Sequence, residues 1–228
     1  MVILPTEKRF DWNHTPVMLF SIVLLNVLVF FFYQSGDDKK FMLALEGYQQ
    51  ANLLETEWKA YQDYLREQGE DELLRSFQEQ FVDQYHDELV ASLVADADFY
   101  KHLEAHGELL VFDPYDGGDT WENWRRQRLR VNSLYGSISA LQLGLVPNDL
   151  SPVTLISHQF LHGGFMHLLG NMFFLVFCGF AVEAAIGAGL FLGLYLASGV
   201  LGGLLFAVLD LQSGVPLVGA SGAISGVM

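Results

Sequence analysis

The sequence predicts an all-α protein that crosses a membrane several times and carries a largely helical extramembrane domain in its first loop. Hydrophobic residues make up 51% of the 228 positions, and many of them form uncharged runs long enough to cross a hydrocarbon core of about 30 Å as helices. The acidic residues are placed differently, because 23 of the 27 fall between Asp37 and Asp149. An acidic, water-soluble insert therefore separates apolar segments.

Charge and cysteine content narrow the possible functions. A formal net charge of −15 argues against nucleic-acid binding, which needs clustered Lys and Arg. Cys178 is the single cysteine, so no intrachain disulfide forms. Its place in an apolar run indicates a small packing residue.

The first apolar run predicts a transmembrane helix over residues 17–33, after an N-terminal tail of residues 1–16. The run is about 18 residues long without a charge, enough to span a bilayer, and it ends in aromatic residues typical of a membrane interface. A cleaved signal peptide is the alternative, but its apolar core is usually shorter and is followed by small residues. Basic residues flank both ends equally, so charge does not give the orientation.

Residues 34–150 form a large acidic first loop, and its part from about 38 to 110 predicts two or three helices. No proline interrupts this part, and apolar residues recur at four-residue intervals between acidic ones, which indicates an amphipathic helix. The insert is either a solvated helical arm or a module that docks a substrate or partner. The periodic positions are Phe77, Phe81, Tyr85 and Leu89, and the glycine break signals are Gly47, Gly69 and Gly107.

A turn-rich break is predicted at residues 111–120. Residues 121–130 then combine two tryptophans with four arginines. This composition favours a membrane interface, because indole is amphipathic and arginine contacts headgroups. Residues 131–145 are too polar for a span, and interfacial or loop structure is expected there.

Residues 151–228 predict two further spans and the start of a fourth. The two spans are about 165–185 and 189–209, and the short connection 184–188 forces an antiparallel hairpin. The fourth apolar segment starts near Gly219, with too few residues to cross a bilayer. Small-residue pairs in the later span predict close helix packing; they are Gly189 with Gly193 and Gly199 with Gly203.

Two polar stretches in these apolar surroundings indicate chemistry. His167 and Asn171 lie four residues apart, so they share one helix face, and both donate hydrogen bonds, as oxyanion stabilisation requires. Ser221 lies in the stretch Gly219-Ala220-Ser221-Gly222 and opens a helix, where glycine permits a close approach. Polar groups inside a membrane are costly unless they are paired or functional, so Ser221 is a candidate nucleophile.

Other interpretations of these residues stay open. Serine and glycine are common packing residues in transmembrane helices, and Ser225 is expected to pack and to bond back to its own helix. The row of His158, His162 and His167 raises metal binding. No Cys, Asp or Glu lies near them in the sequence, so we predict no metal site.

Four motifs follow one another in the last third of the chain: GLVP from Gly144, HQFLHGGFMHLLGNM from His158, the pair Val182-Glu183, and VPLVGASGAISGV from Val215. In this order they resemble the conserved core of the rhomboid family, which are intramembrane serine proteases. The Trp124-Arg125 pair resembles the Trp-Arg motif that many members carry in the first loop. The acidic insert resembles the enlarged first loop of some members.

The resemblance implies a role for each matching residue. Ser221 is implied to be the nucleophile, with His167 and Asn171 lining an oxyanion hole to which the Ser221 amide also donates. Gly219 belongs to the loop before the serine. His162 and Glu183 are implied to be structural, the first tying the first loop to the core and the second pinning the second helix. Trp124 and Arg125 are implied to be structural as well.

The resemblance also implies substrates and a location. Members cut the transmembrane segments of other membrane proteins near their outer ends and need no cofactor. The expected partners are therefore such proteins and the lipid bilayer, with the acidic loop as a possible docking module. The expected location is a bacterial inner membrane, with the first loop outside the cytoplasm.

One departure from the family pattern concerns the general base. The family places a histidine two spans after the nucleophile, whereas all seven histidines precede Ser221. The chain resembles a member truncated in the fourth segment, and we expect the 228 residues alone to be inactive, because a serine without a base is a weak nucleophile. Two alternatives are a non-catalytic rhomboid-like protein that binds transmembrane clients, and a metal or ion transporter that uses the histidine row.

Overall fold

Helices dominate the structure, a computed structural model that describes residues 15–83, 86–107, 110 and 120–228. The predictions on the N-terminal tail up to residue 14, on Tyr85 and on the break at 111–119 lie outside these residues. The described part contains no β-strand, which confirms the all-α fold class. Its helices are α1 Val17–Leu28, α2 Asp37–Gln50, α3 Leu53–Gln68, α4 Asp71–Asp83, α5 Asp87–Ala95, α6 Ala97–Ala105, α7 Trp121–Tyr135, α8 Ser139–Leu143, α9 Thr154–Ser157, α10 Phe165–Ile186, α11 Ala188–Leu209 and α12 Ser221–Val227.

The chain divides into two compact units. Unit 1 comprises Met1–Gly36 and Ser139–Met228, and unit 2 comprises Asp37–Ile138. Unit 2 is thus an insertion between the first helix of unit 1 and the rest of that unit.

Three helical stretches in the described residues are long and apolar enough to cross a membrane: Val17–Gln50, Phe165–Ile186 and Ala188–Leu209. The first of them contains α1 and a π-helical turn, Val29–Tyr33, which together carry its uncharged run. Helices α10 and α11 agree with the predicted spans to within one residue at each end. Long apolar runs made these limits predictable.

Helices α10 and α11 form the predicted antiparallel hairpin, with a tighter connection than expected. Gly187 alone separates them and has φ +81, a conformation that glycine adopts without strain. The helices pack closely at Gly179, where an added methyl group would lie 3.0 Å from the Phe191 ring and 2.9 Å from Leu19. Helices α1, α10 and α11 therefore meet at this glycine.

Glu183 on α10 holds the beginning of α1. Its two carboxylate oxygens accept hydrogen bonds from the backbone N–H groups of Met18, at 3.0 Å, and Leu19, at 2.6 Å. The first N–H groups of a helix have no partner within the helix, and a negative charge there is favourable. The structural role expected of Glu183 thus takes the form of a cap on a neighbouring span.

Glycines bring α12 against α11. A methyl group on Gly202 would lie 3.1 Å from the Cα of Gly222, and one on Gly226 would collide with the Ser198 hydroxyl. A methyl group on Gly199 would collide with the Gln159 side chain, and one on Gly203 would lie 3.0 Å from the His158 ring. Close packing at the predicted Gly199/Gly203 pair is therefore confirmed. The prediction of close packing at the other pair is wrong for the described residues, because nothing lies within 4 Å of a methyl group built on Gly189 or Gly193.

The insert contains five helices, α2–α6, rather than the two or three predicted. Helix α2 continues through Gly47, which was expected to break it. The break predicted at Gly69 is confirmed, since this glycine ends α3 in left-handed conformation. The chain also turns at Asn52, which is left-handed too, and at Asp96, which caps α6 by accepting the Phe99 N–H at 2.8 Å. Asparagine and aspartate can stop a helix in this way without a glycine or proline.

The predicted four-residue periodicity falls on two helices instead of one. Phe77 and Phe81 belong to α4, which ends at Asp83, and Leu89 belongs to α5. All three side chains contribute to the apolar core of unit 2. The period therefore identified the buried face but not the break between the helices.

A buried polar cluster lies at the centre of unit 2. Glu57 accepts hydrogen bonds from the Tyr48 hydroxyl, at 2.9 Å, and from the Trp124 indole N–H, at 2.8 Å, and it pairs with Arg128 at 3.5 Å. Arg128 also donates to the carbonyl oxygen of Leu93. Burial, with Glu57 beside it, raises the pKa of Tyr48 well above its usual range, so the phenol keeps the proton that it donates.

This cluster corrects the prediction of a membrane interface at residues 121–130. That segment forms the first turns of α7 within unit 2, where Trp124 is 2% exposed and Arg128 is completely buried. Glu57 lies far away in sequence, accepts the Trp124 indole N–H and pairs with the charge of Arg128, which offsets part of the cost of burying both groups. Arg125 stays exposed and faces Glu104 at 3.5 Å. Val131, expected in interfacial or loop structure, is also part of this core.

Candidate active site

The segment that leads to Ser221 is held by two distant parts of unit 1. Leu217 pairs with Leu145 through two backbone hydrogen bonds of 2.8 and 3.0 Å, and the Gly219 N–H donates to the carbonyl oxygen of His158 at 2.9 Å. Three motifs that are separate in the sequence therefore meet at this loop. Their convergence fixes the backbone immediately before Ser221.

His167 and Asn171 lie on α10 and face the same loop glycine. A methyl group on Gly219 would lie 2.9 Å from Nε2 of His167 and 3.5 Å from Nδ2 of Asn171. Gly219 has φ +126, a conformation that other residues rarely adopt. Both side-chain nitrogens thus approach the backbone two residues before Ser221, and only glycine leaves space for them.

The hydrogen bonds of the two side chains indicate which nitrogens can donate. Nδ1 of His167 accepts the Gly163 N–H at 3.4 Å, and a neutral imidazole that accepts at Nδ1 carries its proton on Nε2. Nδ2 of Asn171 is buried and has no hydrogen-bond partner among the described residues. The arrangement directs two N–H donors towards one point, as stabilisation of an oxyanion requires.

Ser221 is exposed at the first position of α12. Ser225, one turn later, donates its hydroxyl to the carbonyl oxygen of Ser221 at 2.9 Å, so its predicted bond to its own helix is confirmed. None of the hydrogen bonds in the described part of the chain joins the Ser221 hydroxyl to a histidine. The site therefore combines an accessible serine with two donors.

Comparison with known proteins identifies a family for the last third of the chain. A family profile described as "Rhomboid domain" matches residues 150–228. The chain is 42% identical over 74 residues to RHOMBOID-like protein 5 of Arabidopsis thaliana, which covers 32% of this chain and 24% of that protein. Residues 150–228 of this chain therefore match the rhomboid family. Its apolar helices and this match make it an integral membrane protein.

Two further rhomboid relatives from Arabidopsis thaliana match longer segments. RHOMBOID-like protein 2 is 39% identical over 111 residues, which covers 44% of this chain and 33% of the relative. RHOMBOID-like protein 4 is 45% identical over 109 residues, which covers 45% and 27% respectively. The matched part of the chain thus spans about a quarter to a third of the length of these relatives. No solved structure matches the chain significantly.

His162 contacts the site through both its ring and its backbone. The ring is buried and packs edge-on against His167, with 5.3 Å between ring centroids. Burial, with His167 beside it, lowers the pKa of His162 to about 4, so the ring is neutral near pH 7. The tie expected of His162 runs through its backbone, which hydrogen-bonds to the side chain of Gln34.

The other residues that the sequence singled out make different side-chain contacts. Nδ1 of His158 is 2.8 Å from the carbonyl oxygen of Thr154, and its ring packs against Gly203. Trp124 and Arg125 belong to α7 of unit 2. Within the described residues, no group of three or more His, Cys, Asp or Glu side chains is placed to hold a metal ion. The metal-transporter alternative therefore has no site in this part of the chain.

Sequence reasoning missed three contributors to the site. Gln34 holds the backbone of His162, and Leu145 and Leu217 align the loop before Ser221. The two leucines lie inside motifs that carried the family resemblance, which was the only available signal for them. No sequence signal pointed to Gln34 beyond its position at the end of the first apolar run.

Proposed function

We propose that the full-length protein is an intramembrane serine endopeptidase of rhomboid type, which cleaves transmembrane segments of other membrane proteins. One observation carries the proposal: Nε2 of His167 and Nδ2 of Asn171 both face Gly219 on the loop that ends in Ser221. Donors placed beside a nucleophile stabilise the charge that develops during acyl transfer. The match to the rhomboid family supports the same class of reaction.

The reaction would proceed through an acyl-enzyme. The Ser221 Oγ attacks the scissile carbonyl carbon and loses its proton to a base, and the carbonyl oxygen becomes an oxyanion facing His167 and Asn171. The C–N bond then breaks, the leaving amine takes a proton, and water hydrolyses the ester. No cofactor takes part in these steps.

The base is the component that the described residues do not supply. Nε2 of His167 serves as a donor in this scheme, so it does not also accept the serine proton, and the family pattern assigns that role to a histidine two spans after the nucleophile. We propose that residues 1–228 alone do not cleave, because Ser221 without a base is a weak nucleophile. Activity is therefore a property to test on the full-length protein.

The substrate is proposed to be a transmembrane segment that enters from the bilayer. Ser221 follows the C-terminal end of α11, and His167 lies in the first turn of α10, so the site lies at one end of the spans rather than at their middle. Cleavage near that end of a substrate helix is expected. A bacterial inner membrane with the first loop outside the cytoplasm stays a prediction, and the relatives named above are plant proteins.

A non-catalytic rhomboid-like protein is the second candidate. The observation that favours it is the absence, among the described residues, of a histidine bonded to Ser221. Such a protein would bind transmembrane clients without cutting them, with the acidic insert as a docking module. The acidic insert serves that purpose equally well in the protease.

Cleavage by the full-length protein decides between the two candidates. The protein is purified from its native membrane, reconstituted in liposomes with a single-span substrate, and compared with Ser221→Ala and Ser225→Ala. The protease proposal expects cleavage that Ser221→Ala abolishes and Ser225→Ala retains. Client binding without cleavage in all three proteins would favour the second candidate.

A further inference from the structure

Gln34 makes a paired contact that neither the sequence pattern nor the proposed reaction uses. Its side-chain Nε2 donates to the carbonyl oxygen of His162 at 2.9 Å, and its Oε1 accepts the His162 N–H at 2.9 Å. The side-chain amide of Gln34 therefore makes the same two hydrogen bonds to the His162 backbone that a paired residue of an antiparallel strand would make. Gln34 lies immediately after the π-helical turn that ends at Tyr33, so it joins the end of the first span to the loop before α10.

The contacts of His162 lead directly to the oxyanion donors. Its ring packs edge-on against the His167 ring, and the next residue, Gly163, donates its N–H to Nδ1 of His167. That hydrogen bond leaves the proton on Nε2, which faces Gly219. The position of the His162–Gly163 backbone therefore determines both the orientation and the tautomer of His167.

We propose that Gln34 is a positioning residue for the oxyanion hole: it holds the backbone at His162 so that Gly163 keeps His167 as an Nε2–H donor. The inference rests on the proposed function for its catalytic meaning. Gln34 itself touches neither substrate nor the reacting serine. It acts through two hydrogen bonds and one ring contact.

The chemistry of the side chain makes the inference specific. Gln34→Glu keeps the acceptor for the His162 N–H and loses the donor to the His162 carbonyl oxygen. Gln34→Met keeps the approximate shape of the side chain and loses both the acceptor and the donor. Helix α1 does not depend on this contact for its place, because Glu183 holds its beginning and Leu19 packs in the apolar core of unit 1. The variants are therefore expected to fold.

Tyr33 offers a matched control beside Gln34. Its hydroxyl donates to Oε1 of Gln142 at 3.1 Å, and this hydrogen bond involves neither His162 nor His167. Tyr33→Phe therefore removes one polar contact at the same end of the same span. A merely structural effect at the end of α1 would change both variants equally.

The first test is steady-state cleavage by the full-length protein in liposomes, comparing wild type with Gln34→Met, Gln34→Glu and Tyr33→Phe. Misplacement of one oxyanion donor is expected to lower kcat roughly tenfold or more in Gln34→Met with little change in KM. Gln34→Glu is expected to lie between it and wild type, and Tyr33→Phe to stay within about twofold. An unchanged kcat in Gln34→Met would overturn the inference.

A second measurement does not depend on activity. The nitrogen chemical shifts of isotope-labelled histidine report which ring nitrogen of His167 carries the proton, with His167→Asn as the assignment standard. The Nε2–H form is expected in wild type and in Tyr33→Phe, and a mixture of tautomers in Gln34→Met. If wild type does not cleave, the proposed function fails, and the spectrum alone tests the positioning role of Gln34. A His167 signal that Gln34→Met leaves unchanged rejects that role, and a mixture of tautomers supports it.

Discussion

Gly219 lies so close to the imidazole of His167 that no side chain fits between them: a methyl group would stand 2.9 Å from Nε2 and 2.8 Å from Cε1. The same glycine has a backbone conformation, φ +126, that disfavours any other residue. The N–H of Gly219 donates to His158, which fixes the loop from the opposite side. Space, conformation and hydrogen bonding at this one residue thus hold the loop that leads to Ser221 against His167.

Gly219→Ala is expected to abolish most of the activity of the full-length protein. The added methyl group displaces His167 or the loop, and loss of one oxyanion donor lowers kcat by about a hundredfold or more. Cleavage assays and thermal unfolding of the same samples separate lost catalysis from lost folding. Gly170→Ala on α10 is the control, since nothing lies within 4 Å of its added methyl group in the described residues; equal activity of the two variants would contradict the account.

Helix packing predicts opposite outcomes for two glycines on α11. Gly202→Val places a side chain where the backbone of α12 passes at 3.1 Å, whereas Gly193→Val points into open space in the described residues. Overpacking of this kind costs about 1–3 kcal/mol, so Gly202→Val is expected to lower the unfolding temperature in detergent and to displace Ser221. Equal unfolding temperatures for the two variants would show that the α11–α12 contact is not close.

The membrane spans could be predicted from the sequence because their signal is local. Long apolar runs gave α10 and α11 to within one residue, and the four-residue spacing of His167 and Asn171 placed both on one face. Ser221 and its glycines also form one short motif, so they could be singled out from the sequence, and their catalytic roles stay predictions. These properties depend only on neighbours along the chain.

The contacts that the sequence did not reveal join residues far apart. Trp124 and Arg128 have the composition of a membrane interface, but Glu57, 67 residues before Trp124, draws both into the core of unit 2. The clamp of Gln34 on His162 spans 128 residues. No local period or motif contains such pairs, because a glutamine or glutamate is compatible with almost any exposed helix position.

The buried pair in unit 2 predicts a strongly non-additive response. Arg128→Met or Glu57→Leu alone leaves a buried charge without its partner, which costs about 3–5 kcal/mol. The double variant is expected to be more stable than the sum of the two single changes, since it removes both charges. Thermal unfolding of the four proteins forms the cycle, and strict additivity would mean that the two groups do not interact.

Acidification is expected to destabilise the protein through His162. Its pKa in the folded chain is about 4, below the ordinary 6.5, so the unfolded chain binds a proton between these values and the folded chain does not. Stability therefore falls as the pH drops from about 6.5 to about 4, by about 3 kcal/mol at most. His158, whose pKa burial also lowers, acts in the same direction.

His162→Met isolates this contribution. The substitution keeps the backbone that Gln34 holds and removes the titrating ring, so the loss of unfolding temperature over this pH range is expected to shrink. The exposed His106, replaced by methionine, provides the control. An identical pH dependence in wild type and His162→Met would contradict the buried, neutral ring.

The most direct test of the central claim is to identify the residue that a serine-directed phosphonate probe labels. Full-length protein in its native membrane is treated with the probe, digested and analysed by mass spectrometry, alongside Ser221→Ala and Ser225→Ala. The account predicts a single adduct on Ser221, retained in Ser225→Ala and lost in Ser221→Ala. An adduct on another serine, or none on a protein that cleaves its substrate, would show that Ser221 beside His167 and Asn171 is not the nucleophile.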